Sequence, residues 1–341
     1  MRKKIKILIV SLSILTAGSL SITFGMLFYL NTPSARYGYG MVYDESVNKL
    51  VLFGGGYQDS SSSTCYGDMW LYDPVMNIWT EIFPSQHPTA RHSHSMIYDS
   101  INQKIVLFGG IDINNNWVGD TWIFDSQTTT WTQVFPDNSP STRGSVSSFY
   151  DPQSQRVILF GGYRPVGGHY DDTWAYNYSA NSWTNLNPSL KPTGRYGASM
   201  VYDPVNRRGF MFGGRTSSIT DETWVYYPSN NSWIELNFGI RPSNRYWEGL
   251  AYDEFAQRVV LFGGTDGTPV ALGDTWIFNP LTNQWTEETP NNNPENRDFF
   301  SFVYVPQIRK AILFGGALYG ETFFTDTWAF QCNSHTWTQL K

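Results

Sequence analysis

Six times along the chain an apolar run ends in two glycines: Leu52–Gly55, Leu107–Gly110, Leu159–Gly162, Met211–Gly214, Leu261–Gly264 and Leu313–Gly316. The copies recur every 50 to 55 residues, and their polar positions repeat in the same register. An arginine opens each one (Arg36, Arg91, Arg143, Arg195, Arg245, Arg297), and a tyrosine stands seven residues on (Tyr43, Tyr98, Tyr150, Tyr202, Tyr252, Tyr304). After the glycines come an acid, one residue and a tryptophan (Trp70, Trp122, Trp174, Trp224, Trp276, Trp328). A second tryptophan follows nine residues later (Trp79, Trp131, Trp183, Trp233, Trp285, Trp337).

Each copy predicts four short strands. The first runs from just after the arginine to the tyrosine. The second is an uninterrupted apolar run such as Ile105–Phe108, the pattern of a strand buried on both faces. The third holds Asp-Thr-Trp-Ile-Phe with partial alternation, and the fourth starts at the second tryptophan. Asp151-Pro152 and Asp203-Pro204 place turns between strands one and two; Asp73-Pro74 and Asn279-Pro280 place them between strands three and four. No stretch of the body has a capped helical period.

A lone four-stranded sheet cannot cover two apolar faces. Six such sheets stacked around an axis cover one another and leave only short edges. The copies divide the body at residues 36–90, 91–142, 143–194, 195–244, 245–296 and 297–341. The recurring arginine, paired glycines and two spaced aromatics resemble the kelch repeat over residues 36–341. The resemblance implies an all-β, six-bladed propeller with one repeat per blade. The first copy begins with strand one and the last ends with strand four, so each blade is expected to be complete, with no strand exchanged between the termini.

Residues 1–35 stand apart. Arg2, Lys3, Lys4 and Lys6 precede an uncharged run of 24 residues, Ile7 to Leu30. That is long enough for one membrane-spanning helix, and the basic cluster would keep its start in the cytoplasm. The rival is a cleaved signal segment with its apolar stretch at Ile7–Leu15 and small residues at Ala17, Gly18 and Ser19. Either reading expects an N-terminal hydrophobic helix, and a propeller anchored to the membrane or secreted beyond it.

The chain has 341 residues, 17% of them aromatic and 15% charged, with a net charge of −6. Beyond the first six residues no Lys/Arg run exceeds two, so nucleic acid is not an expected partner. The two cysteines, Cys65 and Cys332, make no disulfide framework. They fall at opposite ends of neighbouring blades, beyond disulfide reach. Asn177-Tyr-Ser and Asn230-Asn-Ser match the glycosylation pattern.

Residues present in all copies read as scaffold, so function is sought where the copies differ. One position after the arginine stand Tyr37, His92, Gly144, Tyr196, Tyr246 and Asp298; two further on stand Tyr39, His94, Val146, Ala198, Glu248 and Phe300. Strand one lines the central channel, so these positions gather aromatic and ionisable groups near one mouth. The variable loops between strands two and three open there too. They carry Trp117; Tyr163, Arg164, His169 and Tyr170; and Tyr319, Phe323 and Phe324.

The leading reading is a binding module for a protein or a carbohydrate, since kelch propellers mostly bind proteins. It calls for no cofactor, and no metal, since His92 and His94 lack a third ligand. Two kelch-like precedents admit enzymes. Galactose oxidase needs a copper site with a Tyr–Cys crosslink, which these cysteines are not placed to supply. A sugar epimerase or mutarotase needs a general acid and base, for which Glu248, Asp298, His92 and His94 are the candidates. A structural or adhesive surface role is the third reading.

Overall fold

The computed structural model describes residues 6–13, 23–30, 32–58, 63–318 and 322–340. Six antiparallel sheets form the blades, each built from one copy of the repeat around a path of four strands; in the second, Arg91–His92 adds a short fifth strand beside Ile111 and Asp112. In the first, Gly40–Asp44, Lys49–Phe53, Met69–Asp73 and Ile78–Ile82 lie side by side in chain order. In the last, Ser301–Val305, Lys310–Phe314, Thr327–Gln331 and Thr336–Gln339 do the same. Among the described residues no strand crosses from one blade to another, so the fold is the six-bladed propeller with complete blades.

The core is not one mass but six, each shared by two neighbouring blades. Leu50, Leu52 and Trp79 of blade one pack with Val305, Ile312 and Phe314 of blade six, which closes the ring. Each fully buried Leu, Ile or Phe adds about 1.5–3 kcal/mol relative to exposure. The second tryptophan of a blade crosses this seam. Trp79, Trp183, Trp233 and Trp337 donate their indole N–H to the preceding blade's Thr327, Thr121, Thr173 and Thr275 at 3.0–3.3 Å. Trp131 meets Met69 in place of a threonine, at 3.3 Å to Sδ. Trp285 and Thr223 leave both groups unpartnered.

The six arginines are among the largest fully buried side chains. Each sends its guanidinium to the first glycine's carbonyl and to the acid before the first tryptophan. Arg245, for example, donates to Gly263 O at 3.1 Å and to both oxygens of Asp274 at 2.6 and 2.8 Å. The same carboxylate accepts the Trp276 indole N–H at 2.7 Å. One arginine thus fastens strand one, the glycine pair and strand three of its own blade. The second glycine then donates its amide to the next blade's arginine carbonyl, six times round, from Gly55 to Arg91 at 2.8 Å to Gly316 to Arg36 at 3.0 Å. These glycines need a positive φ, between 93° and 105°.

Three expectations are corrected. The N-terminal helix is not present: Lys6–Ser13 and Thr23–Leu30 are extended and pair antiparallel, Lys6 opposite Leu30 and Ser13 opposite Thr23. Ile7, Ile9 and Val10 are β-branched, which favours strand over helix. Residues 14–22 of the expected helix lie outside the described residues, and among those described no helix is long and apolar enough to cross a membrane. Strand one does not start just after the arginine. It starts four residues beyond it in every blade, because the second residue after the arginine turns left-handed. Finally, the body has one short 3-10 turn, Cys332–Ser334. Both cysteines are free thiols.

Removing one arginine leaves a carboxylate and a carbonyl unpaired in a low-dielectric seam. Arg245→Met is expected to cost about 3–5 kcal/mol, read as a large fall in the urea midpoint, whereas Arg241→Met, which breaks an exposed pair with Asp221, is expected to cost below about 1 kcal/mol.

Candidate functional site

The second residues after the arginines are Gly38, Ser93, Ser145, Gly197, Trp247 and Phe299, and all six have φ between 51° and 68°. Each donates its amide to the carbonyl of its counterpart in the preceding blade, at 2.6–3.0 Å, and Gly38 donates to Phe299 to complete the circle. A closed ring of six peptide hydrogen bonds therefore rims one mouth of the channel. Glycine takes this backbone freely and serine at small cost. Tryptophan and phenylalanine at positive φ are outliers, with a strain of about 1–3 kcal/mol each.

Trp247 and Phe299 lie stacked, with ring centroids 4.3 Å apart and planes 9° from parallel. They stand in the middle of a longer belt. In one direction it passes to Tyr246 at 4.4 Å, Tyr196 at 6.0 Å, Tyr163 at 5.2 Å and Trp117 at 5.5 Å, with His169 packed on Tyr163 and Tyr196 at 5.4 Å from each. In the other it passes from Phe299 to Tyr37 at 5.3 Å, then to His92 at 5.4 Å or Phe323 at 5.8 Å, and on to Tyr57 at 4.7 Å. Rings from all six blades form one continuous rim. Apart from Tyr246, every member is half-buried, so its rings are accessible. The Arg215 guanidinium lies 5.7 Å over Tyr246.

Beneath the rim the channel holds a cavity of about 130 Å³, bounded by Trp247 and Phe299 above and by His94, Val146, Ala198 and Glu248 around it. At the far mouth the channel widens to about 330 Å³ between the six repeat tyrosines and apolar residues such as Met41, Met96 and Met200. Glu248 is 2% exposed. Its Oε1 accepts the Ser199 amide at 3.0 Å, while Oε2 has no partner among the described residues. His94 is 8% exposed, its ring edge-on to Phe53 of blade one at 5.6 Å. Burial sets the protonation of both. It pushes Glu248 up to about 8, against weaker opposing contributions from backbone amides and Arg245, and it pulls His94 down to about 3. Burial also raises Asp298 to about 7 and lowers His92 to about 4.

The sequence-derived candidates divide accordingly. Tyr37, His92, Trp117, Tyr163, His169, Tyr196, Tyr246 and Phe323 join the rim, and His94 and Glu248 line the cavity beneath it. Asp298 is buried beside the rim, its backbone bridged to Ala317. Arg164 lies half-buried in a short strand with Tyr163. Tyr39 is a seam residue: its hydroxyl donates to Phe314 O of the neighbouring blade and accepts the Ser301 amide at 3.1 Å. Tyr170 and Phe324 cap buried guanidiniums, Arg143 at 3.7 Å and Arg297 at 4.0 Å, and so serve the scaffold. Tyr319 lies outside the described residues. Trp247 and Phe299 were not among the candidates. The signal for them was available: four copies place Gly or Ser at this position and two place a large ring.

The KLHDC2/KLHL20/DRC7 Kelch-repeats domain matches residues 26–214 and 154–341. Similar curated proteins include a flagellar outer-arm dynein alpha chain of Chlamydomonas reinhardtii, 25% identical over 46% of this chain and 4% of that protein. Dynein regulatory complex subunit 7 of the same organism is 29% identical over 35% of this chain and 10% of that protein. An F-box/kelch-repeat protein of Arabidopsis thaliana is 29% identical over 42% of this chain and 31% of that protein. The chain thus spans less than a third of the length of each.

The buried carboxylates yield a pH test. A carboxyl whose folded pKa lies above its unfolded value of about 4 favours the folded state fully below that value. The advantage is lost as pH rises through about 8 for Glu248 and about 7 for Asp298. His94 acts oppositely, destabilising only as pH falls below about 6.5. Between about pH 6.5 and 8 the melting midpoint of the parent is therefore expected to fall, and that of Glu248→Gln to fall less, the gap between the two changing steadily as pH rises. Parallel profiles across this window would refute the buried, unpaired carboxyl.

Proposed function

Because this chain belongs to the kelch-repeat family, whose propellers are protein-binding modules, we propose that it binds a protein partner on the aromatic rim around the Trp247–Phe299 stack. One observation carries the reading. Two large rings occupy a strained left-handed position that Gly or Ser fills in the other four blades, and they stack where the channel opens. Gly or Ser would close the peptide ring at less strain, so large rings kept at this position point to function. Half-exposed Trp and Tyr beside an arginine are the composition of binding hot spots.

The channel space directly beneath the rim, about 130 Å³, is below the ~300 Å³ of small-molecule sites. The rim favours carbohydrate recognition more than that space does, because ring faces stack on sugars. The N-terminal basic cluster and apolar run support, from sequence alone, a propeller held at a membrane or exported across it. Full-length chain that resists alkaline extraction from membranes fits the anchor, and mature chain beginning near Ser19 fits export. Intact chain in the soluble cytoplasmic fraction would exclude both.

The rim is tested by selecting displayed peptides on the purified chain and measuring their affinity for Trp247→Gly/Phe299→Gly. Glycine relieves the backbone strain and restores the residue of blades one and four. The midpoint is therefore expected to hold within a few degrees while affinity falls about 30-fold, the effect of losing ~2 kcal/mol of hot-spot contact. Peptides that bind the double variant unchanged would place the site elsewhere. No enriched peptide, together with stabilisation by neutral oligosaccharides, would favour the carbohydrate reading.

A further inference from the structure

We infer that the cavity beneath the rim receives the side chain of one lysine from the bound protein, its ammonium seated against Glu248; this rests on the rim being a protein-docking surface. The cavity, about 130 Å³, has room for an unbranched aliphatic amine and opens below into a further space of about 200 Å³ that Glu248 also lines. It is not a dry apolar void. Glu248, more than nine-tenths buried, lines it, and its Oε2 has no hydrogen-bond partner among the described residues. Buried polar atoms of this kind are costly unless something bonds them.

The donor set selects the occupant. Glu248 offers one free oxygen, because Oε1 already accepts the Ser199 amide. A single acceptor suits the compact charge of an ammonium; a guanidinium fork would leave its second arm unmatched. His94 takes no part, its ring lodged against Gly40 and Phe53 of blade one. Around Glu248, Val146, Ala198, Trp247 and Phe299 give apolar wall to the methylene stem, in the way lysine stems lie along apolar surface, and the rings add a face to the cation. The nearby Arg215 does not compete, since it lies exposed on the outer side against Tyr196 and Tyr246.

Peptides selected on the full chain provide the test. Replacing their lysines one at a time with norleucine, which keeps the stem and drops the charge, is expected to weaken binding at least tenfold at one position. On Glu248→Gln the same replacement is expected to have little further effect, the coupling of a double-mutant cycle. Peptides that lose affinity on Trp247→Gly/Phe299→Gly but ignore lysine replacement would leave the rim as the binding site and overturn the cavity inference. If no peptide binds, both fall. Should Glu248→Gln fail to fold, n-butylammonium is expected to raise the parent's melting midpoint where n-butanol does not. Equal shifts, or none, mean that the cavity holds water only and overturn the inference.

Discussion

Six peptide groups hydrogen-bonded in a circle set the geometry of everything above them. Each donor in the ring is also an acceptor, so no blade can shift without breaking two bonds, and Gly38 to Phe299 ties the first blade to the last. Each such bond adds only about 0.5–1.5 kcal/mol net, but a buried amide left without one costs more. The circle requires a left-handed residue in every blade. That requirement stops strand one short of the arginine, turns the following side chains across the channel, and brings the preceding ones up to the mouth. The narrow cavity and the ring-lined rim are two consequences of one backbone constraint.

Outside this circle the remaining seams are held by larger, coarser devices. The arginine organises its own blade, and its carbonyl receives the neighbouring blade's second glycine. The seam tryptophan fills the widening wedge and anchors to a threonine one blade back. These contacts repeat with almost no variation, which explains why the fold was legible. A residue demanded six times by the same geometry leaves a period in the sequence, and that period identified the six blades and their four strands. The exceptions obey the same physics. Where Met69 replaces the threonine, the Trp131 indole meets sulfur instead.

The site was only half legible. Comparing copies was the right principle, and it found the positions one and three after the arginine. It passed over the position between them because Gly and Ser there look like scaffold. They are scaffold, and for that reason a Trp and a Phe in the same place are informative. The loop aromatics misled in the opposite direction. Tyr66, Tyr170 and Phe324 all stand two residues before the blade's acid, and all lie over an arginine, so a register anchored on the acid would have marked them as caps. The helix expected at the N-terminus, extended instead over Lys6–Ser13 and Thr23–Leu30, was misjudged for a different reason. Length and hydropathy measure whether a segment could span as a helix, whereas the β-branched residues at its start favour extension.

Glu248 shows how scaffold and site share one residue. It occupies the position of Tyr39, and both side chains reach back to a serine amide in the preceding blade, Ser199 and Ser301. Tyr39 completes that role with its single hydroxyl, donating onward to Phe314. A carboxylate has two oxygens, and the seam uses one. A glutamine would serve the seam as well, without the cost of a buried ionisable group. The second oxygen, left unpaired at the foot of a strained aromatic stack, is surplus to the propeller's own stability, and the chemistry available to it is that of holding a positive charge.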